Sequence, residues 1–153
     1  MDSLASAPVL VSCRAHKFGG SSMADAGCIR RVADLLLADA CPRQIVITSA
    51  MQGTTDALVA LGRAATAGAD WATGLHAIRR RHLETAQALL QQPEPAQARI
   101  DALCDELSDL LRAAALLRQP GPTALARIHG MGELLSTGLL NAHLRERGAD
   151  YAL

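Results

Sequence analysis

The sequence contains one lysine against fourteen arginines. That lysine, Lys17, opens the run Lys17-Phe18-Gly19-Gly20-Ser21-Ser22, directly after an apolar stretch at residues 9–15. Where arginine serves for ordinary surface charge, a lysine kept at a strand-to-glycine turn points to a need for an ammonium. An ammonium is a compact charge with three free donors, suited to a phosphate cluster approached from one side, whereas a guanidinium is a planar fork. Gly19 and Gly20 let the backbone come close to a ligand and take φ values closed to other residues, and Ser21 and Ser22 can cap a following helix. Strand, lysine, glycine pair and helix N-terminus together make an anion site. The competing reading is a lysine in an ordinary glycine-rich turn.

Two further groups of residues carry chemistry. Ser49-Ala50-Met51-Gln52-Gly53-Thr54-Thr55-Asp56 is a second small-residue turn, with Thr54 or Thr55 placed to cap a helix continuing over residues 57–67. Farther on, His129, Glu133, Ser136 and Thr137 fall at i, i+4, i+7 and i+8, on one side of a helix. A carboxylate at Glu133, between Gly132 and Leu134-Leu135, is costly to bury unless it meets a cation. A surface glutamate is the plain alternative, and a His129-Glu133 metal pair lacks a third ligand. Gly130-Met131-Gly132 imitates half a dinucleotide fingerprint but lies inside a helix. A Walker A loop is absent, because its lysine would follow the glycines and Lys17 precedes them.

The elements that must position these groups follow from hydrophobic period. Residues 9–16 read as a buried strand, and Ile29, Val32, Ala33, Leu36 and Leu37 as the inner face of a helix. Residues 44–49, with Ile45-Val46-Ile47, read as a second buried strand, parallel to the first through a right-handed crossover. Both strands then end in turns side by side, where open parallel sheets bind ligands. From residue 70 to 148 the pattern is wholly helical. One helix over 71–92 stops before Pro93. A second, restarted by Pro95, places Ile100, Leu103, Cys104, Leu107, Leu110, Leu111, Ala114 and Leu117 on one face. A third starts near Thr123 with a seam of Leu125, Ile128, Gly132, Leu135, Leu139 and Ala142, in which Gly132 permits close approach. Gly148 is a natural terminator, and residues 149–153 read as the start of a third strand, so a piece of a longer chain is expected.

Composition narrows the class. Half the residues are hydrophobic but only Phe18, Trp71 and Tyr151 are aromatic, which favours helices with aliphatic cores. Fifteen basic and fifteen acidic side chains leave no net charge, so the electrostatic footprint of a nucleic-acid binder is missing. The run Arg79-Arg80-Arg81-His82 reads as a solvated helix face. Cys13, Cys28, Cys41 and Cys104 have neither zinc nor CxxC spacing, consistent with a reduced, cytoplasmic protein. Residues 1–7, with Asp2 and no basic residue, lack the basic n-region expected of a signal peptide, and no apolar run reaches membrane-spanning length.

Three blocks in this order, Lys17-Phe18-Gly19-Gly20-Ser21-Ser22, then Ser49-Ala50-Met51-x-Gly53-x-Thr55-Asp56, then Gly132-Glu133-Leu134-Leu135-Ser136, resemble the N-terminal half of the aspartokinase catalytic domain. The stretch from Ala15 to Ala33 is most similar to bifunctional aspartokinase–homoserine dehydrogenases. The resemblance implies an α/β fold, a partial αβα sandwich of the amino-acid-kinase type on a largely parallel sheet, with a long all-helical segment. Residues 1–8 would be a flexible tail and 9–153 the domain part: a βαβα phosphate-site unit at 9–69, a helical substrate-site segment at 70–148 and the beginning of a strand at 149–153. It implies phosphoryl transfer from ATP, with Mg2+, to the side-chain carboxylate of L-aspartate, the first step towards lysine, threonine and methionine.

In that resemblance Lys17 spans the transferring phosphate, and Gly19, Gly20 and Ser22 offer backbone donors. Ser49, Gly53 and Thr55 line the meeting point of phosphate and aspartate, and Glu133 pairs with the substrate ammonium. A homo-oligomer with no nucleic-acid or membrane partner is expected. Two positions depart from the family pattern: Ser21 stands where threonine is usual, and Met131 where a histidine is common. The family's adenine pocket and regulatory domains come later in the chain, so these residues alone are expected to be inactive. A family member acting on another acidic substrate, and a non-catalytic helical interaction module, are the alternatives.

Overall fold

The computed structural model describes residues 12–118, 121–149 and 151–152. The chain runs from β1 (Cys13–Phe18) through a 3₁₀ turn (Gly20–Met23) into α1 (Ala26–Ala38) and returns as β2 (Arg43–Thr48). Four helices follow: α2 (Thr54–Ala67), α3 (Ala72–Leu89), α4 (Glu94–Leu117) and α5 (Pro122–Glu146). The elements thus run strand–helix–strand–helix and then three helices. The tail at 1–8 and the first residues of the expected strand lie outside the described residues.

β1 and β2 pair in parallel, with Lys17 opposite Ile47 and Phe18 opposite Thr48. Both strands therefore end level, and the Ser49 N–H extends the ladder by donating to Phe18 O at 2.9 Å. Side chains alternate across the pleat. Phe18 and Val46 pack on the helical core, while Lys17, Ile45 and Ile47 point the other way, with Ile45 and Ile47 55% and 54% exposed. The two strands are thus not the buried strands their apolar runs predict. Parallel sheets are ordinarily covered on both faces, and among the described residues helices cover only one.

The helices bury the faces that the sequence pattern marks. α1 turns Ile29, Val32, Ala33 and Leu36 inward, leaving Leu37 at the exposed margin. α4 buries Ile100, Cys104, Leu107, Leu111 and Ala114, a 4-3-4-3 spacing that keeps one stripe facing the core. Leu117, one turn beyond, is exposed. α4 packs against α2, α3 and α5, and the fully buried Leu58, Leu107, Leu111, Ile128, Leu135 and Leu139 fill the space between them. The turn from α3 to α4 is tied to the end of α5: the Glu146 carboxylate accepts from the Gln91 and Gln92 N–H groups at 3.0 and 2.9 Å.

The structure departs from two expectations. Gly148 does end α5's extension with φ +82°, but Ala149, Tyr151 and Ala152 form no strand. Tyr151 instead donates its hydroxyl to Gln44 Oε1 at 2.8 Å, which anchors the segment beside β2 without ladder pairing. The arginine run is not a solvated face either. Arg79 pairs with Asp101 and Asp105 of α4, His82 is completely buried, and only Arg80, beside Glu84, lies outward. α3 is packed on two sides, so three of four successive positions meet protein.

Candidate functional site

The two strand-end turns touch. A Cβ at Gly20 would stand 3.3 Å from Ala50 O, so the first turn lies directly on the second. Lys17 folds back over its own turn, with Nζ 3.5 Å from where a Gly19 Cβ would be. The Lys17 side chain is exposed and its ammonium has no ion-pair partner among the described residues.

α5 closes the site from the helical side. Gly132 makes this possible, because a Cβ there would fall 2.7 Å from Ala50 Cβ and 3.4 Å from Thr54 Cγ2. One turn on, buried Ser136 sets its Oγ 2.9 Å from Ser49 O and 2.8 Å from Glu133 O, donating its single proton to either carbonyl. Thr137 Oγ1 donates to Glu133 O at 2.9 Å, so the hydroxyl of Thr48, 2.8 Å away, donates to Thr137. Ser49 is thereby held between the end of β2 and α5. Glu133 is half-buried, and its carboxylate has neither hydrogen bond nor salt bridge among the described residues. His129 is half-buried one turn earlier, while Met131 is fully part of the core.

The helix starts differ from expectation. The glycine pair leads into the 3₁₀ turn and not into α1, and Ser21 and Ser22 cap nothing. The α1 cap is Asp25, whose carboxylate accepts from the Cys28 N–H at 2.8 Å. That bond holds the Asp25 carboxyl below its ordinary pKa, so it stays an anion at the very place proposed for an anion. The Ser22 N–H is already donated to Gly19 O at 3.0 Å, so its backbone is no free donor and only its hydroxyl remains. Neither Gly19 nor Gly20 has a positive φ; close approach alone accounts for them.

α2 offers the more open helix start. Its N-cap is Gly53 at φ 78°, with no side-chain cap, and neither Thr54 nor Thr55 serves as one. A left-handed backbone favours glycine, and an uncapped first turn leaves N–H groups for a ligand. Thr55 is exposed on that first turn. The structure therefore brings Lys17, Gly19, Gly20, Ser49, Gly53, Thr55 and Glu133 to the ends of β1 and β2 and the facing turns of α5. It adds one residue that sequence reasoning passed over, Arg81 of α3, which donates to Gln52 O at 2.7 Å and Ala24 O at 3.0 Å. Its signal was its position three residues after buried Ile78, on the border of the inward face of α3.

A roomier groove lies away from these turns. A groove of about 730 Å³ follows the outer edge of β2 between Gln44, Val46, Asn141 and Tyr151, and reaches this site only at Thr48 and Thr137. Its position beside an unpaired strand edge makes it a gap in the packing of the sheet, and the convergent polar groups lie at the turns. No group of three or more His, Cys, Asp or Glu among the described residues is placed to hold a metal ion.

The family model for the amino acid kinase family matches residues 13–152. Lysine-sensitive aspartokinase 3 of Escherichia coli (strain K12) is 38% identical over 131 residues, covering 86% of this chain and 28% of that protein. A chloroplastic bifunctional aspartokinase/homoserine dehydrogenase 2 of Arabidopsis thaliana is 31% identical over 139 residues, covering 88% of this chain and 15% of its own length. Among solved structures, Escherichia coli aspartokinase III in complex with aspartate and ADP superposes with a TM-score of 0.77 at 34% identity, covering 89% of this chain and 29% of that one. The chain spans less than a third of each of these proteins.

Proposed function

Because the chain belongs to the amino acid kinase family, we propose that it supplies the phosphate and aspartate site of an aspartate kinase, transferring the γ-phosphoryl group of ATP to the side-chain carboxylate of L-aspartate. The observation that carries this reading is the meeting of two parallel strand ends with the Gly132–Glu133 turn of α5, where Gly132 lies against Ala50. Lys17, the α2 start without a side-chain cap, and Glu133, whose carboxylate has no partner among the described residues, all lie on the segments that meet there.

The chemistry asks little of a general base. An aspartate carboxylate is already a nucleophile: one of its oxygens forms the new bond to γ-phosphorus while the bond to the bridging oxygen breaks and ADP departs. The barrier is bringing that anion in line with a polyphosphate, so preorganised positive charge and N–H donors carry most of the stabilisation. Lys17 offsets charge on the transferring group, and the Gly19-Gly20 backbone approaches it closely. The Ser22 hydroxyl, Ser49, Gly53 and Thr55 line the junction, and Glu133 receives the substrate ammonium. A magnesium ion travelling with the nucleotide would neutralise phosphate charge; the described residues offer no carboxylate cluster for it. The nucleoside part of ATP is bound by other parts of the protein, and this chain alone is inactive. The working protein is a cytoplasmic homo-oligomer.

The test is made in a protein of the relatives' full length, with the acyl phosphate product trapped by hydroxylamine. Lys17→Ala lowers kcat by roughly 10²–10³, the scale for one preorganised electrostatic group. Lys17→Arg fails to restore it, because the fork does not match a point-charge site. Wild-type turnover in Lys17→Ala rules the phosphate role out.

A further inference from the structure

The geometry points to Arg81 as a positioning residue that aims the Gly53 N–H by holding the Gln52–Gly53 peptide and locking the two turns together. The inference rests on the phosphate role proposed for those turns. Arg81 comes from α3, an element that neither turn leads into. Its two terminal nitrogens divide between the turns: Nη1 donates to Gln52 O at 2.7 Å and Nη2 to Ala24 O at 3.0 Å. Ala24 follows the 3₁₀ turn directly and Gln52 precedes Gly53, so one planar group joins the end of the first turn to the apex of the second.

Two consequences follow from peptide geometry. In a planar trans peptide the C=O and the following N–H point in opposite directions. Drawing Gln52 O towards α3 therefore turns the Gly53 N–H away from α3. That N–H donates to no protein acceptor among the described residues, so it is a fixed donor left for a ligand. The guanidinium also presents its N–H groups at a set separation, which a rotating ammonium cannot impose. Other contacts secure the ends of the turns: Ser22 N–H donates to Gly19 O and Thr54 N–H to Met51 O, Gly20 rests on Ala50 O, and Ser49 is tied to Phe18 O and Ser136; Arg81 is the side chain that reaches both turns at once.

The test uses the ¹⁵N-labelled chain, with inorganic tripolyphosphate as probe and amide exchange as an independent readout. In wild type, tripolyphosphate shifts the Gly53 amide. Arg81→Met, which keeps the apolar stem, weakens tripolyphosphate about tenfold or more, the scale of one hydrogen bond to a charged group. It also speeds exchange at Ser22 and Thr54 together, while the Leu107 and Leu111 amides stay protected. Arg81→Lys recovers protection in one turn only. If wild type binds no tripolyphosphate, the phosphate reading falls, and Arg81 is judged on exchange and on the unliganded Gly53 shift. Unchanged exchange at both Ser22 and Thr54 in Arg81→Met overturns the inference. Should Arg81→Met unfold, Arg81→Lys decides: full wild-type protection and affinity there overturn it as well.

Discussion

A half-buried carboxylate without a partner among the described residues, as at Glu133, is held at a cost until a cation reaches it. If that cation is the ammonium of aspartate, Glu133→Gln in a full-length protein exchanges a charged pair for a neutral hydrogen bond. Aspartate KM then rises about tenfold or more, while ATP KM is nearly unchanged. Steady-state kinetics with each substrate varied in turn separates the two; equal losses would make Glu133 a structural residue. Much of this site was legible residue by residue. Lys17 stood out as the sole lysine, and Glu133 as a carboxylate in an apolar setting. Arg81 and Asp25 were not legible, because what makes them matter is a carbonyl or N–H on another segment, and side-chain type does not announce which backbone group it will meet.

At the scale of elements, the packing of α5 on the second turn depends on a missing methyl group. Gly132→Ala would press a Cβ to 2.7 Å from Ala50 Cβ, an atom fixed to backbone that cannot rotate aside. The gain in helix propensity, about 1 kcal/mol, is outweighed by overpacking of about 1–3 kcal/mol, and the second turn is displaced. Gly130→Ala is the control on the same helix, since a Cβ there meets nothing within 4 Å. Urea unfolding should show Gly130→Ala stabilised and Gly132→Ala destabilised; equal shifts would mean that α5 does not approach as closely as described. The apolar period at 3.6 residues announced α1 and the helices beyond residue 70, the small-residue turn announced α2, and prolines and glycines announced most of the ends. The caps were misjudged because Ser21, Ser22, Thr54 and Thr55 all have the right chemistry, yet the chain tightens into a 3₁₀ turn before α1 and Gly53 turns left-handed before α2.

The molecule as a whole carries two properties that its parts foretell. His82 is completely buried, with Nδ1 2.8 Å from Ile78 O and Nε2 without a partner among the described residues, so it is held neutral with the proton on Nδ1. Burial pushes its pKa below the ordinary 6.5, and burial does the same for His143. The unfolded chain therefore takes up these protons first as pH falls. Stability is complete above the unfolded value near 6.5, declines as pH drops below it, and levels off only beneath the folded pKa values. His82→Leu should flatten that decline, measured as urea midpoints at a series of pH values; a slope unchanged by the substitution would assign it to other groups. The second property is the open face of the sheet. Each strand has one partner among the described residues, and Ile45 and Ile47 stand more than half exposed at alternate positions of β2. An exposed apolar patch beside unpaired strand edges is an association surface. The 153-residue chain should therefore gain apparent mass with concentration in light scattering. The double substitution Ile45→Thr, Ile47→Thr keeps the β-branched shape that suits a strand while removing apolar area, and should return the chain to a monomer with little change in helical content. A wild-type chain that stays a monodisperse monomer at every concentration would show that the uncovered face is tolerated by water, and that the helical layer alone suffices to keep the two strands in place.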